Sequence, residues 1–375
     1  METSQQLTHG AIHATDLAEL VRGAGPFLSL YLNTEREVEN AGPLSQQRWK
    51  TARRDLEEQG VPSALLDQIE GIVPGAHLDG DCLAVVGGAE QILHVEHGPP
   101  VSPRDEASWG PIPRLLPIVR WRQSEPPYAV VLIDRTGADL FGIRRGSPEV
   151  HAEVEGEHDV IRKVRPGGWS QRRYQQRAED SWEQNAELVA ARVSRLAVQV
   201  QPVFVAVAGD VRAVALLRES LPKQVDELIH VIEGERPWEG KGDPIPREVH
   251  ELVERHVHEQ TEALLARFSE ERGQRDEAVE GVEATARALA RAQVAALLIA
   301  ARPSDDLALW FGPDPALVAP TARELKELGV DSPEQGPARD VLVRAALGTG
   351  AALRVLDDTG AIEDGVGALL RWTSG

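Results

Sequence analysis

Apolar residues recur along the chain in two rhythms, a helical one near 3.6 and a strand one of two, and both persist to its end. Thr15 or Asp16 can cap a short helix through Val21, and residues 27–32 alternate as a half-buried strand would. Residues 45–58 and 62–72 have helical spacing. Residues 81–86 and 91–95 read as strands around a Gly87-Gly88 turn. Eight prolines between Gly98 and Pro127 make that stretch the expected domain boundary.

Beyond it, residues 128–133 turn at Thr136-Gly137 and return through 140–143 as a hairpin, with a third strand over 150–154. From Gln171 to about Val200 the period is helical, placing Tyr174, Ala178, Trp182, Val189, Val193, Leu196 and Val200 near one face. About 30 residues at 1.5 Å each make a helix of ~45 Å, longer than a compact domain needs. Its apolar content is concentrated after Trp182, so the first two turns are expected to project. A strand over 203–208, a helix over 211–220, a strand over 228–232 and a long helix over 246–268 complete this unit. The charged stretch 269–280 reads as a linker. It introduces a helix over 282–291, strands 294–300 and 307–311, helices 320–328 and 337–347, and strands 351–356 and 367–372.

The pattern therefore predicts an α/β protein of three mixed α/β domains. Residues 1–124 form the first; 125–272 form a middle domain whose long helix carries a projecting basic loop; 273–375 form a small α/β/α sandwich. A length of 375 residues fits two or three domains, and 42% hydrophobic residues suffice for sizeable cores. The longest apolar runs, 203–208 and 294–301, fall far below the roughly 18 residues of a membrane span. The first residues, Met1-Glu2-Thr3-Ser4, predict no export signal and no lipid anchor. A lone Cys82 permits neither a disulfide nor a cysteine zinc cluster, and the expected location is the cytoplasm.

The formal charge is −20, which opposes any general attraction to nucleic acid and leaves only local binding. Of forty basic residues only five are lysine. A GC-rich coding genome accounts for that bias, but arginine also makes bidentate phosphate contacts, so its clusters carry information. Residues 160–178 hold Arg162, Lys163, Arg165, Arg172, Arg173 and Arg177 and no acid. With Ser170 as N-cap, Arg172, Arg173 and Arg177 would sit in the first two turns of the long helix, where its dipole disfavours cations. Phosphate would relieve that conflict, since arginine forks and free helix-terminal N–H groups both bind it. Gly167 and Gly168 allow backbone conformations closed to other residues, and Trp169 and Tyr174 offer stacking surfaces for bases. These residues, with Ser170 and Gln171 at the tip, form the candidate RNA-binding site. The bland alternative is a surface loop whose arginines pair with nearby acids.

Other constellations are weaker. His250, Glu254 and His258 share a helical face, but a solvated polar face explains them better than a metal site. Residues 234–242 mimic a phosphate-binding loop with one residue too many and no hydroxyl after Lys241. Gly348-Thr349-Gly350 lacks a third glycine, and residues 168–172 fail the nucleophile-elbow pattern at the last position. Neither a cofactor nor a metal is expected.

With its α/β domains and a basic Gly-Gly…Gln loop at the tip of a long helix, the chain resembles the archaeo-eukaryotic class-1 peptide chain release factor and Pelota superfamily. It is most similar to the bacterial branch, which includes actinobacterial release-factor-like proteins and Balon-type ribosome hibernation factors. Residues 282–300, Ala286-Arg-Ala-Leu-Ala followed by Val294-Ala-Ala-Leu-Leu-Ile, are similar to the helix and strand that open the family's third domain. Carried over by position, Gly167, Gly168 and Gln171 match the Gly-Gly-Gln tripeptide that helps place the attacking water in release factors, with Trp169 and Ser170 intervening. Ser170-Gln171 matches the Gly-Ser-Gln of a tRNA-cleaving branch. The first domain lacks the Asn-Ile-Lys-Ser stop-codon motif, so codon-dependent termination is not expected.

The resemblance implies a ribosome-associated factor that occupies the vacant A site and directs residues 162–177 toward ribosomal RNA near the peptidyl transferase centre, in hibernation or stress. It implies elongation factor Tu as a candidate delivery partner, and neither a membrane nor DNA. The competing expectation is a peptidyl-tRNA hydrolase or tRNA-cleaving rescue enzyme in which Gln171 is catalytic. A third is an acidic scaffold that never touches RNA.

Overall fold

The computed structural model describes residue 8 and residues 11–34, 41–75, 81–98, 105–144, 150–155, 169–234, 247–274, 277–301, 307–357 and 362–372, with backbone alone at 41, 155, 169–181 and 274. Two compact units emerge, Met1–Ser124 together with Val257–Gly375, and Glu125–His256.

The first third holds α1 (Leu17–Leu20), β1 (Phe27–Asn33), α2 (Ala41–Glu58), α3 (Ser63–Glu70), β2 (Cys82–Gly87), β3 (Ile92–Gly98), β4 (Glu106–Gly110) and α4 (Leu116–Ser124). The strands form an antiparallel sheet in the order β3-β2-β1-β4. The alternation of β1 survives as two different destinations rather than as one wet face. Leu28, Leu30 and Leu32 pack with Trp49, Leu56, Leu65 and Ile69, whereas Tyr31 joins a second core, so all seven β1 residues are buried. The proline-rich stretch is likewise not a bare linker. It contains β4 and α4, whose Ile118, Val119 and Trp121 are fully or almost fully buried. Pro111 and Pro113 precede α4 and Pro117 stands in its first turn, where a missing N–H does no harm.

Asp16 does not cap α1 with its side chain. Its carboxylate instead accepts two hydrogen bonds from Arg122, both 2.7 Å, and the same guanidinium donates to buried Glu96, which also meets His94 Nε2 at 3.0 Å. Burial pushes the Glu96 carboxyl up, but the His94 and Arg122 hydrogen bonds outweigh it and hold the group below the ordinary range.

The middle unit holds β5 (Tyr128–Ile133), β6 (Gly137–Ile143), β7 (Val150–Glu155), α5 (Trp169–Val200), β8 (Val205–Gly209), α6 (Val211–Ser220), α7 (Lys223–Asp226), β9 (Ile229–Val231) and the start of α8 (Arg247–Gln274). The sheet order is β7-β6-β5-β8-β9, with β5, β8 and β9 parallel and the β5-β6-β7 meander antiparallel. On one face Val131, Ile133, Ala138 and Leu140 pack with Val189, Val193 and Leu196 of α5 and with Leu217 of α6. On the other Val130, Leu132, Phe204 and Ala206 pack with Val249 and Leu252 of α8.

Helix α8 continues to Gln274, through residues expected to be linker, because Leu264 and Phe268 remain on its apolar face and enter the core of the last sheet. The last third adds β10 (Ala278–Glu280), α9 (Val282–Ala290), β11 (Val294–Ala300), β12 (Ala308–Phe311), β13 (Val318–Ala319), α10 (Ala322–Glu327), β14 (Glu334–Pro337), α11 (Ala338–Gly348), β15 (Ala352–Leu356) and β16 (Val366–Leu370). Its main sheet runs β10-β16-β11-β15, and a small antiparallel sheet runs β13-β12-β14.

Leu297 and Ile299 of β11 face α9 and α11, while Ala296 and Leu298 face α8, so helices cover both faces of the main sheet. The core under α9 and α11 is shared with the first third, through Leu17, Tyr31, Ala84, Ile118 and Trp121. Gln123 reinforces the join. Its Nε2 donates to the Val355 carbonyl at 2.6 Å and its Oε1 accepts from the Val355 N–H at 2.8 Å, while Ile12 and Leu353 exchange two backbone hydrogen bonds.

Candidate nucleic-acid interface

Helix α5 is 32 residues long, about 48 Å at 1.5 Å per residue. From Asn185 onward it is pinned: Ala186, Val189, Ala190, Val193, Leu196 and Val200 are buried against the sheet. Gly142 of β6 lets the helix come close, since a Cβ there would lie 2.6 Å from Val200 and 2.7 Å from Leu196.

Trp182, half-buried, stands one turn before that pinned stretch. The guanidinium carbons of Arg135 and Arg212 each lie 5.0 Å from its ring centroid, and such contacts contribute about 0.5–1 kcal/mol each at exposed sites. Both arginines are placed by short-range structure. Asp134 Oδ1 accepts from Thr136 N and Oγ1 at 2.7 Å and from Gly137 N at 2.9 Å, forming the turn between β5 and β6 that presents Arg135. Asp210 caps α6 by accepting from the N–H groups of Arg212 and Ala213 at 3.0 and 3.2 Å.

The same carboxylate accepts from Arg135 Nε and Nη2 at 3.1 and 3.0 Å. Desolvation pushes the Asp210 carboxyl up. The Ala213 N–H, the Arg135 guanidinium and the Arg212 N–H more than offset this and hold it low. Asn185 Nδ2 donates to the Arg135 carbonyl at 3.1 Å. Gly209, just before Asp210, has φ 142°, and a Cβ there would lie 1.7 Å from the Ile133 carbonyl oxygen, so only glycine lets β8 end here. Beneath the indole, Ile133, Ala186, Val189 and Leu216 line a cavity of about 10 Å³, room for no more than about one water and too small for a cofactor.

From Trp182 back to Trp169 the helix continues for thirteen more residues, and its first turn contains no acid. Trp169, Ser170, Gln171, Arg172, Arg173, Tyr174 and Arg177 all lie within this stretch. Ser170 is therefore inside the helix rather than its N-cap, and Gln171 belongs to the first turn. The run of glutamine and arginine that follows has good helix propensity and carries the helix back to Trp169. Arg162, Lys163, Arg165, Gly167 and Gly168 lie outside the described residues. Arg135, Asp210 and Arg212 were not singled out by the sequence. Only the Gly209-Asp210 cap signal could have pointed to them.

His250, Glu254 and His258 lie on the exposed face of α8. Among the described residues no group of three or more histidine, cysteine or acidic side chains is arranged to hold a metal. Among the same residues, no helix is long and apolar enough to cross a membrane.

Residues 127–274 match the family model for bacterial archaeo-eukaryotic release factor family 2. Over 371 residues the chain is 27% identical to the uncharacterized protein Rv2629 of Mycobacterium tuberculosis strain H37Rv, covering 95% of this chain and 96% of that one. Among solved structures, a ribosome-bound archaeal Pelota with ABCE1 is similar at TM-score 0.42 and 13% identity over 78% of each chain. Dom34 of S. cerevisiae, a translation termination-like factor that interacts with Hbs1, is similar at TM-score 0.37 and 9% identity, over 66% of this chain and 63% of its own. The matched segment runs from the first strand of the middle sheet through the basic stretch and α5 to the end of α8. Over residues 127–274, about two fifths of its length, the chain is similar to the bacterial archaeo-eukaryotic release factor family 2.

Proposed function

We propose that the protein is a cytoplasmic, ribosome-associated translation factor that binds the vacant A site and directs residues 162–177 toward ribosomal RNA near the peptidyl transferase centre, as a hibernation or stress factor. One observation carries this reading. Six basic residues without an acid fall inside the release-factor family match and run into the acid-free first turn of a 32-residue helix, in a chain of charge −20. An acidic surface repels RNA everywhere else, so a local basic head gives selectivity as well as affinity. Arg162, Lys163, Arg165, Arg172, Arg173 and Arg177 would contact phosphates, and Trp169 and Tyr174 would offer stacking surfaces to bases. Elongation factor Tu is the proposed delivery partner.

The test is sedimentation with vacant ribosomes at low and moderate salt, comparing wild type with Arg172→Glu/Arg173→Glu/Arg177→Glu. Salt-sensitive association lost in the variant is expected, with a shallower salt dependence for each phosphate contact removed. Wild type that fails to sediment with ribosomes, with or without elongation factor Tu, would overturn the reading. Gln171 sits at the head of α5, so the hydrolase alternative is measured beside it. Single-turnover release of peptide or tRNA fragment from stalled complexes, abolished by Gln171→Ala, would make the factor an enzyme.

A further inference from the structure

We propose that Trp182, gripped by Arg135 and Arg212, is a positioning residue: the fulcrum that fixes the direction in which α5 presents its first thirteen residues. This deepens the function proposed above and rests on the reading that the head of α5 is the working end. Among the described side chains of α5, Trp182 is the nearest to the helix start, and two other elements hold it. The β5–β6 turn supplies Arg135 and the first turn of α6 supplies Arg212, both at 5.0 Å from the indole centroid. Asp210 joins those two elements by capping α6 and binding Arg135, and Asn185, one turn further along α5, donates to the Arg135 carbonyl. Two separate segments therefore converge on one ring of α5.

Beneath the indole lie a cavity of about 10 Å³ and the small side chains of Ala186 and Ala213. The guanidinium groups provide the sideways restraint, and they are planar cations that can stack on a ring while hydrogen-bonding at their edges. The lever is long. From Trp182 to Trp169 is about 20 Å, so a tilt of about 10° at the ring moves the helix start by about 3 Å. That is roughly the length of one hydrogen bond, enough to separate an arginine from its phosphate or a glutamine from its water.

The experiment measures direction and binding separately. In the full-length chain with Cys82→Ala, nitroxide labels at Gln176→Cys and Glu219→Cys report the distance between the head of α5 and the outer face of α6 by pulsed dipolar spectroscopy. Trp182→Ala and the double variant Arg135→Gln/Arg212→Gln should each widen the distribution by about twofold, as two ring contacts of the exposed class are lost. Trp182→Phe, which keeps a ring for the guanidinium groups, should keep it narrow. Ribosome association should fall by about tenfold in the two widened variants and hold in Trp182→Phe.

The arginine pair is exposed, so its double variant keeps the test valid if Trp182→Ala fails to fold. An unchanged distribution in the double variant overturns the proposal, as does a widened one with full ribosome association. If wild type never binds ribosomes, the proposed function fails, and the distance distributions alone decide whether Trp182 fixes the helix.

Discussion

The middle sheet and the first sheet of the chain both bury two faces, but they draw their covers from different distances. The middle sheet is covered by α5 and α6 on one face and by the start of α8 on the other, all within Glu125–His256. The first sheet finds one cover locally, in α2 and α3, and completes the other with residues roughly 250 to 320 positions away, such as Leu342 and Leu353. The unit that carries the basic helix is thus self-contained, whereas the flanking segments complete each other's core. Among the described residues, each buried cluster draws its members from one unit alone.

The sharpest way to break this contrast is to separate the pieces. Residues 125–256 expressed alone should melt cooperatively by circular dichroism, while 1–124 alone should not, and co-expression of 257–375 should restore its transition. A cooperative melt of 1–124 by itself would remove the distinction. Next in size, Trp121→Ala should cost about 3–5 kcal/mol in the unit formed by the first and last thirds and leave the melt of 125–256 in place.

Gly209→Ala should do the reverse. Its φ of 142° and the 1.7 Å approach to Ile133 predict a loss of about 3 kcal/mol confined to the middle unit, read by denaturant titration. The smallest effect is the response to acid. The Glu96 carboxyl titrates lower in the folded chain than in the unfolded one. Its contribution is complete above the unfolded value near about 4.3 and is lost as the pH falls through the folded value. Glu96→Gln should flatten that acid-side decline in the first unit and leave the Asp210-dependent decline of the middle unit unchanged.

The strand–hairpin–helix order of the middle unit was legible because each element has one clean period: residues 128–133 and 140–143 alternate or run apolar around Thr136-Gly137, and α5 repeats its apolar face from Trp182 to Val200. What single-sequence patterning cannot carry is reach. Nothing in Phe27–Asn33 says that its second face meets Trp121 and the last third, so β1 reads as half-buried when it is fully buried. Proline density hid β4 and α4, since residues that punctuate loops also open strands and helices. Short β10, β13 and β14 span two to four residues, too few for a period to show. For the candidate site, the arginines and Gln171 at the head of α5 stand out by charge, whereas Arg135 and Arg212 look like ordinary surface residues until the fold brings both to Trp182.

Strand β15 sits at the margin of its sheet, and a bare margin invites a strand from another molecule. Here its two outward-facing residues are already satisfied, Leu353 by the backbone of Ile12 and Val355 by the side-chain amide of Gln123. The residues that knit the two ends of the chain together therefore also act as a guard against self-association. A variant such as Gln123→Leu would leave the Val355 N–H and carbonyl without that amide, and its effect would show both in how tightly the chain folds and in whether its copies stay apart at high concentration.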